Sequence, residues 1–292
     1  MVGACSLTFL AVDTLRDEAS LPAQLTRLPA FLSDTILHHD FGYDGVFQKP
    51  LWNSMLDGLP VDLTLVVGGL VIGNVAGVWA GLRAGAQRGS REDRVAAIGS
   101  AAVLSVPVYW MGFMTLTLFA PGTGYLLRIP ILSDYGGYVP LSRDPLGWLR
   151  AVWVPCLVVA APLAAMSYRM VRASLADLAE EQFVRGARAK GVAEPRVMRR
   201  HALPVALSPV LSLAAVNMAL VVTNVTLVET TFQLPGFFRR ADIGQFLGEL
   251  GHAPGIDVIH LLVFEAATII AVAMVLCDLA QAWLDPRLRA SG

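Results

Sequence analysis

The residues with the most distinctive chemistry form one charged stretch, AEEQFVRGARAKGVAEPRVMRRHALPVAL, at 179–207. Bulky basic side chains alternate there with very small ones. Such a surface suits docking into a groove of a partner protein, where the basic groups could pair with acidic ones. A solvated loop whose arginines only fix topology would account for the charge but not for the small residues. The docking candidates are Arg185, Gly186, Ala187, Arg188, Lys190 and Gly191.

The sequence has no familiar pattern for binding nucleotide or metal. Its two lysines, Lys49 and Lys190, follow Gln48 and Ala189, so the G-K-[ST] ending of a phosphate-binding loop is impossible. The histidines and cysteines lack the spacing of a zinc site or a disulfide framework. A net charge of −1 argues against a nucleic-acid partner. We therefore expect no metal, no bound cofactor and no catalysis in this chain itself.

The composition points to lipid as the solvent. The 292 residues are 55% hydrophobic and 15% charged, with a mean hydropathy of +0.59. A helix needs about 20 apolar residues to cross a bilayer. Continuous apolar runs without period-2 alternation predict helices, not barrel strands. The stretches long enough to span are 60–82, 95–120, 151–171, 205–232 and 258–284.

The apolar start of the chain, Met1 to about Val12, is too short to span. Twelve residues in a helix rise only about 18 Å. This segment is either a partial or re-entrant helix, or the remainder of a longer helix that starts upstream, which we favour. The sequence thus predicts an all-α, polytopic membrane protein of about six helices with a shortened first helix. Residues 1–59 would hold that helix and an external loop, and 60–292 the transmembrane domain.

Arginine and lysine are concentrated in alternate loops. Most lie in 83–94 and 169–202, and the chain end adds Arg287 and Arg289. The positive-inside rule places these segments in the cytoplasm. With six spans, both termini are then cytoplasmic.

Small residues and prolines interrupt the predicted spans. Pro107 is expected to break the third helix, and Pro155 and Pro162 the fourth, which neighbouring helices make tolerable. A glycine-rich face on the second helix would let another helix approach closely, either within this subunit or in a second one. Its members are Gly68, Gly69, Gly73, Gly77 and Gly81.

The charged stretch resembles the loop that binding-protein-dependent ABC permeases present to their ATPase. That loop is described as E-A-A, three residues, G, nine residues, I-x-L-P. The matching positions here are Ala187, Gly191, Leu203 and Pro204. The departures are Arg185 for the glutamate, Gly186 for the first alanine and His201 for the isoleucine.

These departures are similar to the dipeptide, oligopeptide and nickel branch, which reads roughly YVRTARAKG and then RHAL. The corresponding segments here are Phe183–Gly191 and Arg200–Leu203. Four further landmark segments resemble the same branch: Asp40–Pro60 with DFGYD, Leu104–Gly112 (LSVPVYWMG), Glu229–Phe238 (ETTFQLPGFF) and Asp285–Arg289 (DPRLR). The resemblance covers nearly the whole chain from about residue 40, and the short first helix is the main departure.

The resemblance implies a permease subunit of an ATP-driven importer in the cytoplasmic membrane. Short peptides are the first expectation for its cargo, with nickel or another small solute as the alternative. Its implied partners are ATPase subunits that hold ATP and Mg, a second permease subunit (a homologue or a second copy) and an external solute-binding protein. The coupling loop is then about 173–203, where Gly191 supplies a sharp turn and Ala187 a close approach, with Leu203 and Pro204 as further candidates.

Polar residues inside the spans could line the path of such a cargo. The candidates are Ser105, Tyr109, Asn217, Asn224, Glu229 and Thr230. Alternatively, these side chains are hydrogen-bond glue between neighbouring helices. Glu265 in the last span is an ionisable group that suggests function, unless its carboxylate reaches the outer headgroups.

Two other classes of protein have apolar helices of this kind. A polytopic membrane enzyme would need paired catalytic groups at membrane depth, whereas the acidic residues are expected to cluster in loops. An ion-driven carrier would need inverted repeats with matching broken helices, which the sequence does not show. The permease interpretation is therefore preferred.

Overall fold

The protein is almost entirely helical wherever a computed structural model describes it, which is at residues 41, 43–44, 49–86, 89–119, 138–239 and 256–284. The all-α prediction is thereby confirmed. One short antiparallel pair precedes the first described helix, with β1 (Tyr43–Asp44) against β2 (Lys49–Pro50). The short apolar segment from Met1 to Val12 lies outside the described residues.

Short connections join the described helices, except where residues 120–137 and 240–255 intervene. The helices are α1 (Leu51–Ala86), α2 (Arg91–Ser105), α3 (Val108–Phe119), α4 (Pro145–Leu178), α5 (Gln182–Ala189), α6 (Glu194–Val197), α7 (Leu203–Val216), α8 (Met218–Phe232) and α9 (Ile256–Leu284). A π-helical turn, Met198–Ala202, joins α6 to α7.

Three of these helices are long and apolar enough to cross a membrane alone: Leu51–Gly85 in α1, Pro145–Leu178 in α4 and His260–Ala282 in α9. Two bent pairs, α2 with α3 and α7 with α8, raise the number to five if each pair forms one span. These candidate spans, identified by length and composition, match the five stretches that the sequence predicts. The polytopic architecture is therefore confirmed.

The first described helix begins at Leu51, before the predicted start at 60. Polar residues lower the hydropathy of 51–59, so a hydropathy window misses this part. Burial of Leu51 and Met55 in a cluster with Phe237 and Leu261 favours the helix instead. The predicted boundary between external loop and membrane domain therefore falls inside α1.

Proline has different effects in the two spans that were predicted to break. Val106 is extended, with φ −101° and ψ 126°, as the residue before a proline prefers. The axes of α2 and α3 then meet at 104° around Pro107, which confirms that break. The breaks predicted at Pro155 and Pro162 are wrong, because α4 continues through both. Pro155 is buried among the packed side chains of α4, and this packing compensates for a lost hydrogen bond.

A break without any proline separates α7 from α8, where the sequence predicts an uninterrupted span. The two axes differ by 56°. Asn217 lies at the junction with φ −81° and ψ 2°, and its N–H donates to the Leu213 carbonyl at 3.0 Å. Asparagine favours helix ends because its side chain competes for backbone hydrogen bonds.

The chain divides into two compact units. Unit 1 draws its described residues from Met1–Leu63 and Gln233–Val272, and unit 2 from Thr64–Phe232 and Ala273–Gly292. The core of unit 1 consists of Phe41, Leu51, Met55, Phe237 and Leu261, and the rings of Trp52 and Phe264 pack on Phe41.

The glycine face of α1 packs on α4 inside unit 2. A Cβ atom at Gly73 would lie 2.8 Å from the Ala160 carbonyl oxygen, and one at Gly77 would lie 2.5 Å from that of Ala164. Because the contacted atoms belong to the backbone, only glycine permits this approach. Of the two interpretations of the glycine face, packing within the subunit is the one that the structure contains.

Candidate functional site

The short helix α5 is held against the end of α4. After α4 ends at Leu178, three residues turn the chain and α5 begins at Gln182. The Arg188 guanidinium on α5 donates through Nη1 to the Ala179 carbonyl at 2.9 Å. Arg188, one of the docking candidates, therefore stabilises the turn that orients α5.

A Schellman motif ends α5. Gly191 has φ +76°, its N–H donates to the Arg188 carbonyl at 2.9 Å, and the Val192 N–H donates to the Ala187 carbonyl at 3.3 Å. This pair of bonds satisfies carbonyls that a helix end leaves open, and glycine enters the left-handed region at little cost. Gly191 thus lies just past the end of α5, in the left-handed conformation that the Schellman motif requires.

Ala187 lies on the inner face of α5. It is buried with Val184 and Val197 in a small cluster, and Val192 packs against that cluster. Residues 184 and 187 are three apart on a helix, so they share a face. Ala187 therefore supports α5 from within.

The outer face of α5 is open. Its exposed residues are Gln182, Phe183, Arg185, Gly186 and Ala189, and the exposed Lys190 and Gly191 follow directly after the helix. A Cβ atom at Gly186 or Gly191 would meet no atom within 4 Å. Phe183 is 45% exposed and stands one turn before Gly186. Phe183 is not among the docking candidates from the sequence, although its position three residues before Gly186 in a helical segment was the available signal.

Leu203 and Pro204 lie at the start of α7, which comes later in the sequence than α5. Leu203 packs, partly buried, against a cluster that joins α4 to the π turn and α7. Pro204 stands in the first turn of α7, where the missing N–H is tolerated. Leu203 therefore packs at the base of the coupling loop.

A bidentate ion pair ties α4 to α2. Arg172 donates from Nε to Oδ1 of Asp93 at 2.6 Å and from Nη2 to Oδ2 at 2.9 Å. Asp93 also accepts the Gly89 N–H at 3.0 Å, while Ser90 caps α2 by accepting the Asp93 N–H at 3.1 Å. From the sequence, Arg172 is only one of the basic residues of 169–202 that indicate orientation. The S-x-x-D capping pattern at 90–93 was the available signal for this site.

Two path candidates flank the bend between α2 and α3. Ser105 ends α2, and its hydroxyl donates to the Ala101 carbonyl at 2.8 Å. Tyr109 begins α3 and is 48% exposed. Both lie on an open surface of the single chain.

The path candidates on the second bent pair have different surroundings. Asn217 is buried, and its amide contacts the sulfur of Met166 on α4 at 3.5 Å, which fits the role of glue between helices. Asn224 and Thr230 are partly exposed on α8, whereas Glu229 lies fully buried on the packed face of that helix.

Besides Asp93 on α2, three carboxylates are buried, one each on α1, α8 and α9. Asp62 and Glu229 are 0% exposed, and Glu265 is 2% exposed. Glu229 and Glu265 were placed inside spans from the sequence, whereas the expectation that acidic residues cluster in loops is wrong for Asp62 and Asp93. One carboxylate barely lowers the mean hydropathy of a long apolar window. Burial of Glu265 also disfavours a carboxylate that reaches the headgroups. Over the described residues no group of three or more potential ligands could hold a metal.

Two of the landmark segments contact each other. A Cβ atom at Gly112 on α3 would lie 3.1 Å from Cγ2 of Thr231 and 3.2 Å from Cε2 of Phe232 on α8. In unit 1, the continuation of the second segment is held by Asp62, whose carboxylate accepts the Phe237 N–H at 3.1 Å.

Comparison with known proteins gives one family and several relatives. The family described as "Binding-protein-dependent transport system inner membrane component" matches residues 73–290. A putative peptide transport system permease protein of Brucella abortus (strain 2308) is 28% identical over 256 residues, covering 87% of this chain and 77% of its own.

Two further relatives carry related descriptions. The di/tripeptide transport system permease protein of Pseudomonas aeruginosa (strain UCBPP-PA14) is 28% identical over 261 residues, covering 83% of this chain and 74% of its own. The dipeptide transport system permease protein of Escherichia coli (strain K12) is 26% identical over 270 residues, covering 87% and 78%.

Proposed function

The chain belongs to the family of binding-protein-dependent transport system inner membrane components, and we propose that it is the permease subunit that carries short peptides while a separate ATPase drives it through α5. The family resemblance inferred from the sequence is confirmed by this membership. An integral, multi-pass position in the inner membrane follows from the same membership and from the apolar helices.

The outer face of α5 is the observation that carries the coupling role. Phe183 and Gly186 form a knob and a gap one turn apart, and Arg185 and Lys190 add positive charge at either side. An aromatic knob on a rigid, short helix can fill a pocket at small entropic cost, while the basic groups pair with an acidic rim. The Schellman end at Gly191 and the bond from Arg188 to Ala179 keep that face fixed relative to α4.

The peptide cargo is proposed from the descriptions of the relatives. Because the curated relatives are described as peptide, di/tripeptide or dipeptide permeases, short peptides are preferred to nickel or another small solute. The path would run along the bend between α2 and α3, where Ser105 and Tyr109 are on the open surface, and past the partly exposed Asn224 and Thr230 on α8. Asn217 and Glu229 are buried in the described conformation and would meet cargo only after helix movement.

The remaining partners and the orientation belong to the same proposal. A second permease subunit, either a homologue or a second copy, would close the path, and an external binding protein would deliver the peptide. ATP and Mg would be held by the ATPase subunits. The basic segments 83–94 and 169–202 and both termini would lie in the cytoplasm, as their arginines and lysines favour.

A tryptophan at Gly186 tests the docking role. Gly186→Trp fills the gap beside Phe183 without touching the inner cluster, so the chain should insert normally while the amount of ATPase that co-purifies with it falls at least about tenfold, the effect of 1.4 kcal/mol. Gly99→Trp is the matched control, since Gly99 on α2 also has no atom within 4 Å of an added Cβ. Full retention of the ATPase by Gly186→Trp would refute coupling through α5.

A further inference from the structure

The pair Asp93–Arg172 lies near the end of α4 that leads into the coupling loop. Both guanidinium-to-carboxylate bonds are short, at 2.6 and 2.9 Å. The Asp93 side chain is 4% exposed, whereas that of Arg172 is 42% exposed. Two parallel bonds fix direction as well as distance, so this pair holds α2 and α4 in one relative orientation.

The Asp93 carboxylate is also bound from two other sides. It accepts the Gly89 N–H at 3.0 Å, and the Tyr168 hydroxyl lies 3.4 Å from Oδ1. The same hydroxyl lies 3.3 Å from the Asp93 backbone oxygen. The start of α2 and the turn before it are thus attached to one stretch of α4.

A second polar contact repeats this attachment further along the helices. Arg169 donates from Nε to the Ser100 hydroxyl at 3.4 Å. Arg169 and Arg172 are three residues apart on α4, and Ser100 stands two turns beyond Asp93 on α2, so both contacts lie along one helix–helix seam.

An adjacent side of the same stretch of α4 packs on the coupling loop. Val171 and Leu175 are fully buried in a cluster with Met198 and Ala202 of the π turn. The end of α4 is joined to α5 by the bond from Arg188 to the Ala179 carbonyl. Residues 168–175 therefore contact the coupling loop through apolar side chains and α2 through polar ones.

We propose that Asp93 and Arg172 are a positioning pair that transmits movement of the coupling loop from α4 to α2, and so to the bend between α2 and α3 at Pro107. The inference rests on the proposed function of α5. Neither residue contacts cargo or nucleotide in this role, because the pair acts through the position of α2. A pair with a purely structural role would change the amount of assembled protein and not the response to ATP.

The experiment uses a cysteine at Phe113 on α3, which is 49% exposed, in a chain whose Cys5, Cys156 and Cys277 are replaced by alanine. The assembled transporter, with its ATPase, is reconstituted in vesicles, and maleimide labelling of Phe113→Cys is timed with and without ATP. ATP should change the labelling rate when the pair is intact. Asp93→Asn or Arg172→Gln should reduce that change about two- to thirtyfold, the range expected for residues that modulate coupling, while ATP hydrolysis continues.

The double variant tests whether Asp93 and Arg172 act as one unit or independently. If the residues act together, Asp93→Asn combined with Arg172→Gln loses no more than either single change. Asp57→Asn, in the surface pair with Lys49 where Asp57 is 64% exposed, is the control and should respond as wild type. Should Asp93→Asn fail to assemble, Arg172→Lys keeps the charge but not the bidentate geometry, and an intermediate loss is expected.

Several results would overturn the proposal: no effect of ATP at Phe113→Cys with the pair intact, a wild-type response in the single variants, or multiplying losses in the double variant. It also fails if Arg172→Lys lowers only the amount of assembled protein. Gly186→Trp, measured in parallel, separates the two ideas. A normal ATP response in Gly186→Trp refutes coupling through α5, whereas loss there with a normal response in Asp93→Asn refutes the positioning pair alone.

Discussion

A single residue, Gly191, sets the direction in which the coupling loop leaves α5. Its φ of +76° lies in the left-handed region, and the Schellman bonds of Gly191 and Val192 depend on that conformation. A side chain there would meet no neighbouring atom, so any penalty for substitution comes from the backbone and not from crowding.

Gly191→Val should therefore uncouple the ATPase from transport while leaving insertion intact. The left-handed conformation costs an L-residue about 1–2 kcal/mol, which is enough to reorient α5 against α6. The measurement is peptide uptake per ATP hydrolysed in vesicles.

Gly191→Asn is the matched control, because asparagine enters the left-handed region more readily, and it should retain more coupling. Uptake per ATP at the wild-type value in Gly191→Val would contradict this role for the turn.

Single residues differ in how far their roles follow from the sequence. The conformations at Gly191 and Pro107 were predictable because each depends on the residue's own covalent structure. The inward position of Ala187 was not, since it depends on Val197 across the turn. The partnership of Asp93 with Arg172 joins positions far apart in the chain, and no local pattern specifies which arginine meets which carboxylate.

Among the elements, α1 and α4 pack closely against each other, as the glycines of α1 show. Adding a Cβ at Gly77 would bring it to 2.5 Å from the Ala164 oxygen and 2.6 Å from Cβ of Ser167. A backbone atom of a packed helix has no freedom to yield locally, so the two helices would have to separate.

Gly77→Ala should therefore destabilise the protein by about 1–3 kcal/mol, the usual cost of overpacking. Thermal unfolding of the detergent-solubilised protein measures the effect as a lower midpoint.

Gly99→Ala is the control for helix propensity, because Gly99 lies exposed on α2 with no atom within 4 Å of an added Cβ. It should leave the midpoint unchanged or raise it slightly. Equal effects of the two substitutions would argue against close packing at Gly77.

At the scale of elements, hydropathy located all five apolar stretches, since lipid imposes a minimum apolar length. It did not give their internal geometry. Pro155 and Pro162 were expected to break α4 but are accommodated by its packed surroundings. No proline or glycine stands at the bend at Asn217, so the sequence did not indicate this bend. The start of α1 at Leu51 depended on burial in unit 1, which a local window cannot register.

For the whole molecule, composition and the order of the landmark segments were sufficient to identify the family. The family match at 73–290 includes the landmark segments from Leu104 onward, whereas Asp40–Pro60 precedes it. The positions of Glu229 and Glu265 inside spans followed from the sequence, but the burial of Asp62 was not foreseen. A sequence does not reveal which neighbours enclose a carboxylate in an apolar helix.

Orientation in the membrane makes a prediction for the whole chain. In α1, the exposed Asp57 lies near the start, while the exposed Arg91 follows the other end at the beginning of α2. A helix of this length places its ends on opposite sides of a bilayer. Arginine enrichment at 83–94 and 169–202 assigns the side of Arg91 to the cytoplasm, together with Ala193 beyond α5.

Single cysteines test this assignment in a chain whose native Cys5, Cys156 and Cys277 are replaced by alanine. In intact cells, with any outer barrier permeabilised, a membrane-impermeant maleimide should label Asp57→Cys and spare both Arg91→Cys and Ala193→Cys. All three should react once the inner membrane is opened, since the three positions are exposed in the single chain. Labelling of Ala193→Cys from outside would put α5 on the wrong side for any cytoplasmic ATPase, and coupling through its outer face would then be impossible.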